Sequence, residues 1–232
     1  MTSLSKNARV AGLLYLLLVL AGSIRLIYIP HTLFVNTDAA ATAANITAHE
    51  SLFRFGMVSG LFCAALLIYL MLALCRLFKG VDQTQAVLMV ILGGVMPGVV
   101  YLINVVNDAA ALILVRGADF LSVFEKPQRD ALALLFLRLH HQMDVAAEVL
   151  WGLWLFPLAI LTLRSGFLPR FLGVWLIIAG FSYLALSVTG EWLPQFEDRV
   201  FNMGSPARLG ELAFVLWILI MGAKERTSLS AR

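Results

Sequence analysis

Six long apolar runs constrain this chain more than any other feature of its sequence. They lie at roughly 9–29, 53–78, 86–115, 139–163, 170–189 and 205–223. Each is long enough to cross a hydrocarbon layer of about 30 Å as an α-helix rising ~1.5 Å per residue. The apolar residues run on continuously instead of alternating in short segments, which excludes a membrane β-barrel. Composition agrees, since 61% hydrophobic against 13% charged lies far outside soluble-domain usage. The expected fold is all-α, an integral membrane bundle of about six transmembrane helices in one domain over residues 1–232, with membrane lipid as its surroundings.

The first run resembles a secretory signal, because Lys6 and Arg9 precede it and Ala21-Gly22-Ser23 imitates a cleavage site. It continues through Ile24, Leu26, Ile27 and Tyr28, which makes it a retained span. With six spans both termini share a side. That side carries Lys6, Arg9, Arg76, Lys79, Arg164, Arg170, Lys224, Arg226 and Arg232 against only Asp82 and Glu225. The Lys/Arg bias places it in the cytoplasm, so the net charge of +3 is a topology signal. No clustered basic and aromatic surface suggests a nucleic-acid partner. Cys63 and Cys75 fall on one helix about 18 Å apart, too far to bridge.

Connections on the cytoplasmic side are short, and Gly166 and Pro169 in Arg164-Ser165-Gly166-Phe167-Leu168-Pro169-Arg170 end one helix and begin the next. The outer connections are longer. Asn36-Thr37-Asp38 followed by Ala39 to His49 predicts a capped helix too polar to span, a short cap on the outer face. Asp119 to Glu125 is expected as another short helix stopped at Pro127, with Gln128 to Leu139 leading into the fourth span. Gly56 and Gly60, like Gly94 and Gly98, have the small-xxx-small spacing that lets helices approach. Pro97 predicts a kink in the third span.

Laid across a bilayer, the ionisable residues inside the spans collect in the outer half. On the fourth span His141, Asp144, Glu148 and Trp151 fall in one stripe with His140 at its edge. On the third, Tyr101, Asn104, Asn107 and Asp108 form a similar stripe above Pro97; the sixth offers Arg208 and Glu211. Arg54 opens the second span, and Arg25 approaches the outer end of the first. A charge at mid-membrane costs about 2.5–3.5 kcal/mol on insertion scales, so these groups are expected to face one another. Asp108, His141, Asp144, Glu148, Arg208 and Glu211 are therefore expected to form a single site.

Three functions fit that site. In the first, a polar cavity binds or moves a small polar or amphiphilic ligand through Arg54, Asn104, Asn107, Asp108, Asp144, Glu148, Arg208 and Glu211; Asp144 or Glu148 carries protons and an arginine holds an anion. The enzymatic alternative is a metal-dependent intramembrane hydrolase, in which His140, His141, Asp144, Glu148 and Asp108 supply nitrogen and oxygen ligands to a divalent metal that activates water. No HExxH or spaced Cys/His motif accompanies these residues. In the third, the charges form a salt-bridge network serving only helix association, and the protein is a structural or accessory subunit.

Trp151-Gly152-Leu153-Trp154-Leu155-Phe156-Pro157-Leu158, the turn from Arg164 to Arg170 with Phe171-Leu172-Gly173, and Ala179-Gly180-Phe181-Ser182-Tyr183-Leu184 carry a resemblance. Together with Ala11-Gly12-Leu13-Leu14-Tyr15-Leu16 and the stretch from Asn45 to Gly56, they make the chain similar to the bacterial integral-membrane family catalogued as domain of unknown function 4386. The resemblance covers most of the chain. It implies a protein of the bacterial cytoplasmic membrane and brings no established activity or site residues with it.

Overall fold

The computed structural model describes residues 3–224, which form helices joined by short turns, with no strand among them. Glu225, Arg226 and Arg232, counted above for orientation, lie outside the described residues. Six helical stretches are long and apolar enough to cross a membrane. The first, Ser3–Leu33, consists of α1 (Ser3–Ser23), a π-helical turn (Ile24–Tyr28) and α2 (Ile29–Leu33). After α3 (Ala39–Ala48) comes the second, α4 (Glu50–Phe78). The third, Gln83–Arg116, joins α5 (Gln83–Val90), a π-helical turn (Ile91–Val95) and α6 (Met96–Arg116). The fourth, Lys126–Ser165, is α7 (Lys126–Leu153) followed by α8 (Leu155–Ser165). The fifth is α9 (Arg170–Trp192), and the sixth ends in α10 (Glu197–Ile220).

Prolines account for the breaks inside the first, third and fourth spans. Pro lacks an N–H and its ring crowds the carbonyl four residues earlier, so the preceding turn must rearrange. Ahead of Pro97 the chain widens to a π-turn, with Met96 N–H reaching Ile91 O five residues back. The same event precedes Pro30, where Ile29 N–H reaches Ile24 O. Pro157 cannot donate to Leu153 O, and there α7 gives way to α8 at Trp154. Pro127, expected to stop a helix, sits in the first turn of α7, where its missing N–H costs nothing. The helix expected over Asp119 to Glu125 is only a 3₁₀ turn, Asp119–Leu121, while the lead-in from Gln128 is continuous with the fourth span.

The chain divides into two compact units. One collects Leu66–Pro97 with the described parts of Met1–Leu17 and Val145–Arg232; the other collects Leu18–Ala65 and Gly98–Asp144. In the first unit α9 packs against α8 and α10, and α5 against α8. Gly166 closes α8 in the left-handed conformation at φ +70°, and extended Pro169 then starts α9. Asp82 caps α5 by accepting from Gln85 N at 3.1 Å and pairs with Arg164 Nη1 at 2.8 Å.

In the second unit, Ile29, Leu33, Ile46, Phe53, Leu112 and Leu137 share a buried core. The polar helix α3 is capped by Asp38, whose Oδ1 accepts from Ala41 N at 2.9 Å. Its Asn45 Nδ2 donates to Leu33 O at 3.2 Å, satisfying a carbonyl at the end of α2.

Helix backbones come closest at glycines other than those the spacing singled out. A Cβ on Gly152 would lie 2.7 Å from Gly180 O, and one on Gly180 3.0 Å from Gly152 O. At Gly56, Gly60 and Gly94 an added Cβ would meet the side chains of Ile29, Val105 and Met71 first, and at Gly98 nothing nearer than 4.0 Å. Gly152→Ala is therefore expected to destabilise the purified protein by about 1–3 kcal/mol through overpacking. Gly22→Ala, with nothing within 4 Å of the new methyl, should leave it unchanged or slightly stabilised. Thermal unfolding in detergent compares the two, and equal melting temperatures would refute the close approach.

Candidate functional site

Arg25 lies in the π-turn of the first span, a local geometry that recurs at functional sites. It is 4% exposed, and its guanidinium sits over the Tyr101 ring, 4.6 Å from the ring centre. One and two turns of α6 beyond Tyr101 come Asn104 and Asp108, both buried and four residues apart on one helix face. From α7, His140 and Asp144 present a second i, i+4 pair. All of these residues belong to the second unit.

Their contacts form a connected chain. Asp108 Oδ1 lies 2.6 Å from His140 Nδ1, and His140 Nε2 lies 2.7 Å from Arg25 Nη2. The same Nε2 is 3.3 Å from Asp144 Oδ2. Asp144 Oδ1 accepts from Asn104 Nδ2 at 2.8 Å and from Arg25 Nη2 at 3.4 Å. Arg25 Nε and Nη1 and Asn104 Oδ1 are buried without a hydrogen-bond partner among the described residues.

Donor and acceptor chemistry assigns the proton on the imidazole. A guanidinium only donates, so His140 Nε2 at 2.7 Å must accept from Arg25. The ring is then neutral with its proton on Nδ1, where it donates to Asp108 Oδ1. A second proton, placed on Nε2, would face the arginine donor, and the acceptor within reach is Asp144 Oδ2. Protonation thus exchanges the His140–Arg25 contact for a His140–Asp144 contact.

A second polar group belongs wholly to the first unit. Glu211 of α10 accepts from Tyr15 Oη at one carboxylate oxygen and from Tyr183 Oη, at 3.0 Å, at the other. Arg208, three residues earlier, does not pair with it. Its guanidinium donates to Phe201 O at 2.6 Å and to Ser182 Oγ and Ser205 Oγ at 3.3 Å each, and it lies over the Phe201 ring at 4.3 Å.

Of the residues singled out in the sequence, Asn104, Asp108, His140 and Asp144 are brought together. His141, expected to lead the stripe, is exposed, and His140, one i, i+4 step from Asp144, takes its place. Arg54 is exposed and pairs with Glu50 at 2.7 Å; Glu50 also faces Arg116 Nε at 3.5 Å. Asn107 is half-buried and makes none of the hydrogen bonds above. Glu148, Arg208 and Glu211 lie in the first unit, where Arg208 and Glu211 hydrogen-bond to different groups.

The residues proposed as metal ligands do not assemble as a ligand set. His140 Nε2 and Asp144 meet the Arg25 guanidinium, which already places a cation at that imidazole nitrogen, while Asp108 holds the other ring nitrogen. Among the described residues, no group of three or more His, Cys, Asp and Glu side chains is arranged to hold a metal ion. Arg25 was expected among the inward-facing charges but was not assigned to the ligand or metal set, and Tyr15 and Tyr183 were absent from the expected site. For Arg25 the available signal was a charge inside an apolar run five residues before a proline.

Burial separates the strong contacts from the weak ones. A double-mutant cycle between His140→Gln and Asp108→Asn is expected to give a coupling of about 0.5–3 kcal/mol. The exposed pair Arg54 and Glu50 should give a smaller coupling, because solvent screens it. Chemical unfolding of the single and double variants measures both, and a His140–Asp108 coupling no larger than the surface pair would contradict the geometry.

An uncharacterized protein from Archaeoglobus fulgidus is 30% identical to this chain over 76 residues, which are 33% of this chain and 44% of that protein. The chain thus spans less than half the length of that relative. No solved structure matches it. The family model described as domain of unknown function (DUF4386) matches residues 10–222, nearly the whole chain, and the protein belongs to that family.

Proposed function

We propose that this multi-pass membrane protein binds or moves a small polar solute through a proton-exchanging site centred on His140, in the bacterial cytoplasmic membrane with both termini cytoplasmic. The observation that carries this reading is the position of His140 Nε2 between two alternative partners, Arg25 Nη2 at 2.7 Å and Asp144 Oδ2 at 3.3 Å. One proton on that nitrogen turns it from an acceptor for the arginine into a donor for the carboxylate. Arg25 is then released from the imidazole while it keeps its place over Tyr101.

Two further features support a ligand at this point. Arg25 Nε and Nη1 are donors without a hydrogen-bond partner, and Asn104 Oδ1 is an acceptor without one, so a small molecule carrying both kinds of group would find complementary contacts. Asp108 and Asp144 together outnumber the arginine, which favours a neutral solute over an anion. The metal-dependent hydrolase has no comparable support, because Arg25 takes the position a metal would need.

A structural role is the second reading, favoured by the extent to which Asp108, His140, Asp144 and Arg25 satisfy one another. Proton flux decides between the two. The purified protein in liposomes holding a trapped pH dye should relax an imposed pH gradient faster than protein-free liposomes. His140→Gln and Asp144→Asn should cut that rate by about an order of magnitude or more, as when a relay group is removed. Glu50→Gln, at the exposed pair, should leave it intact. Equal rates for the unmutated and His140→Gln proteins, both shown to be folded by their thermal transitions, would overturn the reading.

A further inference from the structure

Glu211 presents a problem that the His140 site does not solve. It stands in the middle of a span, Pro194–Ile220, and among the described residues no ion pair reaches it. Both of its carboxylate oxygens instead accept from tyrosines of two other helices, Tyr15 of α1 and Tyr183 of α9. The nearest cation on its own helix, Arg208, spends its hydrogen bonds on Phe201 O, Ser182 and Ser205. An ionised carboxyl in a span, without a counter-ion, is costly unless it exchanges its charge or has a functional use.

We propose that Glu211, held between Tyr15 and Tyr183, is a second proton-binding site, in which one of the two phenol hydroxyls reverses direction as the carboxyl gains and loses its proton.

Hydrogen-bond directions require this coupling. With Glu211 ionised, both oxygens only accept, and each tyrosine donates. A proton arriving from water adds to one carboxylate oxygen and makes an O–H donor. The tyrosine facing that oxygen must then turn its own hydrogen aside and accept through Oη, while the other keeps donating to the carbonyl oxygen. The hydronium that delivers the proton loses one O–H bond and leaves as water, the carboxyl gains one, no other bond is made or broken, and the charge of the group changes by one.

Rings and charges beside the two tyrosines would feel this change. Tyr15 is buried, with its ring 5.9 Å from that of Trp154, and Tyr183 packs edge-on to Trp151 at 6.3 Å. Arg208 lies 5.9 Å from the Tyr183 ring, and Glu148 of α7 is within electrostatic reach of Tyr183. Reversal at Tyr183 therefore reaches α7, α9 and α10 together, whereas Tyr15 carries it to α1. This site goes beyond the His140 reading and does not depend on it.

Infrared difference spectroscopy of the full-length protein in lipid, stepped from alkaline to acidic pH, tests the proposal. A carboxylic C=O band should grow on acidification and be missing from Glu211→Gln. Tyr15→Phe and Tyr183→Phe should each keep the band and shift its frequency, since each removes one hydrogen bond to the same carboxyl; a purely structural role would not produce these shifts. His140→Gln should leave the band in place, so failure of the flux experiment above does not bear on it. The proposal is overturned if the Glu211→Gln spectrum matches that of the unmutated protein. A band that neither tyrosine variant moves would also overturn it, and this outcome can be read even if Glu211→Gln does not fold.

Discussion

A buried arginine that can only donate sets the pattern of hydrogen bonds around it. Arg25 sits in a span where an unpaired charge is costly, and its shortest hydrogen bond is to an imidazole nitrogen. That contact fixes the tautomer of His140, and the tautomer fixes the donor to Asp108. Asp144 stands on the other side of the same nitrogen, held by Asn104. The functional reading follows from this order of events: an obligatory donor, a nitrogen forced to accept, and a carboxylate waiting for the alternative state.

Local backbone chemistry delivers Arg25 to that position. Pro30 removes one hydrogen bond and crowds the turn before it, and the chain answers with a π-turn over Ile24–Tyr28. Pro97 produces the same widening below Tyr101, Asn104 and Asp108. The two helices that carry the arginine and the first carboxylate are thus each remodelled by a proline a short distance away. Pro206 lies in α10 between Phe201, whose carbonyl Arg208 uses, and Glu211.

The spans were legible in the sequence because lipid imposes a long, unbroken apolar run on each of them, and no other structure explains six such runs. The cap helix was legible from Asp38, and the turn at Gly166 and Pro169 from their fixed backbone preferences. The meaning of Pro127 was not: a proline marks a helix start as readily as a stop, and only the continuation through α7 decides. The glycine spacings were misleading for a similar reason. Small-xxx-small permits close approach, but the partner helix decides where it occurs, as at Gly152 and Gly180. The site was half legible. A regular 100° step per residue identified the right faces of α6 and α7 but preferred His141 to its neighbour, because a stripe drawn on one helix carries no information about what it faces. Arg25 was read as an inward-facing charge but left out of the ligand set, and Tyr15 and Tyr183 escaped because tyrosines in apolar runs read as packing.

The state of one nitrogen tests the whole account most directly. In ¹⁵N-histidine-labelled protein, with the His140 signal assigned by its loss in His140→Gln, NMR at alkaline pH should show a neutral ring protonated at Nδ1 with Nε2 bare. A neutral ring carrying its proton on Nε2 would contradict the account, because that nitrogen could not then accept from Arg25.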